Sequence, residues 1–523
     1  MPSSTYFSAI RVLVFACLLM GWHQGVAQSP WSQQIGGPGT GTVAGMAVDA
    51  SSNVYCVGSF ATTVQSPFGT LIMRGKSSAL PGYGDGFLVK YSSQGQPLWV
   101  QQVGQADRMV YSDAMALDPN GNVFWLGRFD GGPTLSIGSV TLLSNNNNFG
   151  GSFLAKYSAQ GVLLWARILN NGNSTYSKMC TDNAGSVYVG GPAAGVRGNQ
   201  QSLMKLDAQG NFAWSTSLNF NNQQLIGPNY CTSIAVDNNN QLWVGAHAFQ
   251  MTGHTSSSFI KTLSKYNTAQ GALLASRSTA NSSTSIFFDT NGTAYTVEDD
   301  MRITSYDATQ MSVLWSQVIL RQGYNRTFQG IVGPNGNLYL ASGFQGNITV
   351  AGTTFTATGT GNNGIIIALN SQGTPLGAVH TGSSLSTTLA LGSQQEMYLA
   401  GQCEGTSTWA GVMLTSRGPM DAFVTRLGAV PLTARGNAPA TGLTAYPNPT
   451  TQAAGLHIAL STALAGSAIK LRLSNLMGQV MSEKVVPVGT AATTFITTGL
   501  APGTYVLQAH STTGVATQRV VLE

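Results

Sequence analysis

The sequence predicts an all-β protein: a seven-bladed β-propeller over residues 28–430, followed by a small Ig-like β-sandwich over 443–523. Three observations predict it: a four-strand pattern that recurs seven times, a break in that pattern near Val430, and a composition of 63 glycines with 43% hydrophobic and only 8% charged residues. A typical globular chain is roughly 25% charged, so here Ser, Thr, Asn, Gln and Gly must cover the surface. The formal charge of +5 is thinly spread, and no run of Lys or Arg could track a phosphate backbone, which argues against a nucleic-acid partner.

Residues 1–27 read as a secretory signal, with Arg11 as the positive n-region, Val12 to Met20 as the apolar h-region and Gly25-Val26-Ala27 before the cleavage site. Nine apolar residues are too few to span a bilayer. Cys17 as a lipoprotein attachment site is the rival reading. No later segment is long and apolar enough for a membrane helix, so an exported chain without a transmembrane segment is expected. Four cysteines follow, Cys56, Cys180, Cys231 and Cys403, without any CxxC pair. They are expected as free, packed thiols rather than a zinc site or a Cys56–Cys403 bridge.

Each repeat is a short apolar strand ending in Asp, an x-x-Gly-Asn type of turn, a strand ending in Gly, a gap, a strand ending near Lys-Tyr, a Gln-Gly turn and a Trp-bearing strand. The Asp falls at Asp49, Asp118, Asp182, Asp237 and Asp289, and Gly333 and Gly392 replace it in the last two copies. Trp99, Trp165, Trp214 and Trp315 are expected to open the fourth strand, and Ala275 stands in that place in the copy between the last two. Short β-branched and aromatic runs punctuated by Gly and Asn are strand and hairpin signals, and four antiparallel strands per unit describe a propeller blade. After Leu427 no fourth strand follows, whereas Trp31 to Gly37 is a fourth strand without its first three. This segment is therefore expected to complete the seventh blade, with the Trp31 indole buried there. The repeat resembles Gly-Asn-rich bacterial β-propeller repeats, and the resemblance implies that the Asp-ending strand is innermost and the Trp strand outermost.

Beyond a linker at 431–442, the chain carries Tyr446-Pro447-Asn448-Pro449, Gly478 in a hairpin, Gly503 with Tyr505, and a last apolar strand after Arg519. In this order these features resemble the C-terminal sorting domain of the type IX secretion system of the Bacteroidetes group. Asn475, where that family usually has Asp, and Arg519, where it usually has Lys, are departures. The resemblance implies Sec export to the periplasm, then passage over the outer membrane by the type IX machinery, to the cell surface or the medium.

Chemistry is sparse. Neither HExxH nor GxSxG occurs, and Gly359 to Gly364 matches GxGxxG ahead of a strand rather than a helix, so it aims no helix terminus at a phosphate. His247 and His254 lack a third ligand and are expected in a solvated loop, and the Asp-led turns are too short for calcium loops. No enzyme and no cofactor are expected. A binding or adhesion module, a glycan-active enzyme and a structural surface protein remain open, with a glycan or protein as ligand. The expected working face carries hairpin insertions in blades one, two, six and seven, with Arg108, Tyr111, Tyr176, Tyr230, Tyr324 and Arg326 in its blade-to-blade loops. Planar, amphipathic groups of this kind suit sugar or peptide recognition. The opposite face, with its tight Asn-Gly and Gln-Gly turns, is expected to be inert.

Overall fold

In the computed structural model, residues 30–522 are described with interruptions, the longest at 76–83, 192–202, 320–328, 428–442 and 461–468 and shorter ones including 145–149, 252–256 and 358–362. The described chain is built of β-strands and turns, and no helix in it is long and apolar enough to cross a membrane. Up to Leu427 the strands form seven consecutive four-stranded antiparallel sheets, and sheets one, two, six and seven each carry a separate two-stranded hairpin.

The first strands of the sheets are Gly41–Val48, Val110–Leu117, Lys178–Thr181, Leu225–Val236, Ser283–Phe288, Gln329–Val332 and Ser384–Leu391. Each touches the first strand of the next sheet, and Ser384–Leu391 touches Gly41–Val48, so the series returns to its start. Five of these strands bulge, around residues 44, 113, 232, 284 and 387. A bulge sharpens local twist.

The seventh sheet takes its fourth strand from the other end of the chain, as expected: Trp31–Ile35 pairs antiparallel with Asp421–Leu427, with Trp31 opposite Arg426. The indole is half-buried rather than buried, because it lies at a sheet edge, 6.1 Å from Tyr91 and 6.0 Å from Tyr398. Elsewhere the tryptophan does not open its strand. Trp99 is the third residue of Pro97–Val103, since the apolar pair before it already joins the ladder.

The repeated residues join each sheet to the next. Trp99 Nε1 donates to the Ala159 carbonyl of sheet two at 3.1 Å, Trp214 to Thr268 of sheet four at 3.0 Å, Trp315 to Ser371 of sheet six at 3.1 Å, and Trp31 to Ser93 of sheet one at 3.0 Å. In the first four sheets a lysine near the end of the third strand reaches the corresponding turn of the next sheet: Lys90 Nζ donates to Ala159 O at 2.9 Å and Lys205 to Thr268 O at 2.9 Å. A glycine of that turn faces the indole. Gly161 has φ +84°, and an added Cβ would stand 2.8 Å from Trp99. Ala275 occupies the Trp register opposite Lys265, and there Lys265 makes two bonds instead, to Ala308 O at 2.8 Å and Thr309 O at 3.0 Å.

The strand-ending aspartates act as turn locks. Asp118 Oδ1 accepts from the Asn120 and Asn122 amides at 3.0 and 2.9 Å, and Asp49, Asp182, Asp237 and Asp289 repeat the arrangement. These bonds satisfy backbone donors that the tight turn would leave open. Residues 443–522 form a three-stranded and a four-stranded sheet, with Leu456, Ile458, Leu471, Leu473, Leu507 and Val520 buried in one core between them.

Candidate ligand-binding face

Antiparallel order puts the start of each first strand, the end of each second and the start of each third on one side of the ring. The four hairpins emerge there, in the sheets where the sequence places them. So does the extended end of sheet four, whose second and third strands, Gln241–Met251 and Ser257–Asn267, are eleven residues each.

Two groups of side chains stand on this side. In sheet two, Tyr111 donates to Asp130 Oδ2 at 3.2 Å, and the Arg128 guanidinium lies 4.8 Å over its ring. Arg128 Nε donates to Asp113 Oδ1 at 3.2 Å and lies equally close to Oδ2. The Arg128 side chain is 41% exposed while Asp113 is 9% exposed, so the arginine is braced from beneath and open above. Burial pushes the Asp113 carboxyl up to about 6, against the pull of Arg128 and Lys178. In sheet four, Tyr230 lies 5.1 Å from His247, His247 5.3 Å from Phe259, and Phe259 4.0 Å from Phe249. Phe259 is 50% exposed. His247 sits in a strand opposite Lys261 rather than in a loop, because the ladder of sheet four runs on to Met251. Its Nδ1 pairs with Ser282 Oγ at 3.2 Å, and burial, with Lys261 adding to it, lowers its pKa.

Of the six residues expected on this face, Tyr111 and Tyr230 are in place, though inside strands Val110–Leu117 and Leu225–Val236 rather than in loops, because these first strands start earlier than their repeats suggest. Arg108 is tied to the hairpin of sheet two through Nε and Thr134 O at 3.3 Å. Tyr176 is only 5% exposed and packs with Phe124, Leu154 and Leu169, so it is a core residue and not a displayed one. Tyr324, Arg326 and His254 lie outside the described residues, and no group of three or more metal-ligating side chains occurs among those described.

In the C-terminal unit, Asn448 Oδ1 accepts from the Val521 amide at 2.8 Å, tying the Tyr-Pro-Asn-Pro segment to the last strand. Tyr446 is half-exposed with its ring 5.7 Å from His457, Tyr505 is buried, and Gly503, φ +155°, pairs with Leu522. Pro447, Pro449 and Gly478 lie outside the described residues.

Residues 444–523 match the secretion system C-terminal sorting domain family, and residues 31–59 match a β-propeller repeat family. The chain thus carries a segment of the β-propeller repeat type and a C-terminal sorting domain of the type IX kind. The repeat match spans Trp31–Ile35 and the first strands of sheet one, the segment where the two ends of the series meet. No curated protein matches the chain. A solved structure of PorZ, an essential bacterial surface component of the type-IX secretion system of Porphyromonas gingivalis, is similar over 92% of this chain and 81% of that one, at 11% identity and a TM-score of 0.35. The sorting domain assigns the propeller-repeat protein to the cell surface or the exterior.

Sequence reasoning missed Arg128, Asp113, Phe249 and Phe259. A signal existed for the phenylalanines: in His247-Ala248-Phe249 alternate residues are aromatic, which puts both on one face of a strand.

Proposed function

We propose that the protein is a non-catalytic binding or adhesion module. In this reading the seven sheets are blades of one closed propeller, the sorting domain is an Ig-like sandwich, and a glycan or protein docks on the face that carries the hairpins. The observation that supports it is the aromatic ribbon of sheet four, half-buried Tyr230, His247 and Phe249 with exposed Phe259, on the same side as the open Arg128 stacked over Tyr111. Aromatic faces and a braced guanidinium give planar contact area at low entropic cost.

The test is a glycan array probed with the wild type and an Arg128→Ala/Phe259→Ala variant. A ligand retained by the first and lost by the second, with equal thermal stability, is the expected result. Unchanged binding in the variant moves the surface elsewhere, and turnover of a polysaccharide makes the protein an enzyme instead.

A further inference from the structure

The opposite face was expected to be inert, yet a cavity of about 490 Å³ opens there between sheets two and three. Its size lies within the ordinary range for small-molecule sites, about 300–1,000 Å³. The joint at which it opens carries one departure in the repeat. Six residues after each strand-ending Asp or Gly, the chain reads Tyr55, Phe124, Tyr188, Trp243, Tyr295, Tyr339 and Tyr398, so only the second copy lacks a polar tip. Tyr55 Oη donates toward Asp49 Oδ2 at 3.2 Å and lies 3.3 Å from the Gly121 carbonyl of the next sheet, closing the joint between sheets one and two. Tyr188, Trp243 and Tyr295 likewise donate to their own aspartates. With Phe124 no hydroxyl fills that place. Lys156 instead closes on Asp118 at 2.9 Å, against 3.6 Å for Lys90 and Asp49. The Trp165 bond to the Ala208 carbonyl stretches to 3.4 Å.

Asn120, Asn183 and Gln209 line the cavity with carboxamides beside Asn122, whose Nδ2 donates to Asp118 Oδ2 at 2.9 Å, and Leu164 and Trp165 supply an apolar wall. The charges in the floor, Asp118 and Lys156, neutralise each other. A carboxamide both donates and accepts, as a sugar hydroxyl does. An anion would meet Asp118 and no cation that is not already paired, and a cationic ligand would meet Lys156.

We propose that this cavity, at the joint of sheets two and three, is a binding site for a neutral oligosaccharide. It lies on the face opposite the rim proposed above and stands independently of it.

The experiment is ligand-observed saturation-transfer NMR on the full chain with maltotriose, cellotriose, mannotriose and chitotriose, and with trigalacturonic acid as the acidic arm. Ala184→Trp fills the cavity from an exposed turn and leaves the core alone. Ser51→Trp, at the equivalent turn position of sheet one, is the matched control. The expected result is transfer to at least one neutral trisaccharide in the wild type and in Ser51→Trp, and its loss in Ala184→Trp. Transfer to none of the neutral sugars, transfer to the acidic one only, or transfer that persists in Ala184→Trp overturns the proposal. Loss in Arg128→Ala/Phe259→Ala with retention in Ala184→Trp places sugar binding on the rim and overturns it too.

Discussion

At the scale of single residues, Asp113 gives the clearest prediction. Burial raises its carboxyl from 3.8 to about 6, with Arg128 and Lys178 opposing. The folded protein keeps a proton there that the unfolded chain has released, so this residue's contribution is full below about pH 4 and is lost as pH rises through about 6. A shift of about two units corresponds to ~3 kcal/mol. Asp113→Asn should therefore flatten the fall of melting temperature between about pH 4 and 6, and an unchanged slope in thermal scans would contradict the assignment. The four cysteines make a second test. Cys56, Cys180, Cys231 and Cys403 are all free, and burial raises each thiol. All four should react in thiol titration of the unfolded, unreduced protein, and fewer would reveal a bridge. Exposure was the property hardest to read at this scale: Tyr111 and Tyr176 look alike in sequence, yet one sits under a guanidinium and the other in the core, because side-chain direction depends on where a strand begins.

At the scale of elements, the joint between sheets is the unit that repeats. Trp99→Phe keeps an aromatic ring beside Gly161 but removes the bond to Ala159 and part of the indole's contact area, a loss of about 1–2 kcal/mol. Trp31→Ala removes bond and packing together at the place where the series closes, and should cost ~3 kcal/mol. Urea unfolding should rank them in that order, and equal costs would show that Trp31 does not hold the seam. Strand positions, hairpin insertions and the completion of sheet seven were legible because period-two patterning and turn residues act locally. The length of sheet four was not, since nothing local ends a ladder whose strands remain β-formers through the expected gap. The joints were invisible as well: their acceptors are backbone carbonyls in another repeat, and a carbonyl has no letter in a sequence.

At the scale of the whole molecule, the two recognised segments divide the labour. Removing residues 444–523 deletes the sorting domain and leaves all seven repeat sheets intact, so the shortened protein should fold but fail to reach the cell surface or the medium. Surface proteolysis of intact cells reads this directly, and normal surface abundance would sink the role given to the domain. What the rim binds stays illegible in sequence because its groups come from separate repeats and share no spacing. The placement of Asp421–Leu427 has a mechanical side. The chain leaves the seventh sheet from this strand, which is not an edge: Met397–Cys403 pairs with it on one side and Trp31–Ile35 on the other. Tension applied along it by anything holding the tail must slide two hydrogen-bonded ladders at once, in shear. An edge strand would unzip bond by bond under the same pull. A tethered cell-surface protein exposed to fluid drag would thus carry its load through the sheet where the first and last strands of the repeat series interlock.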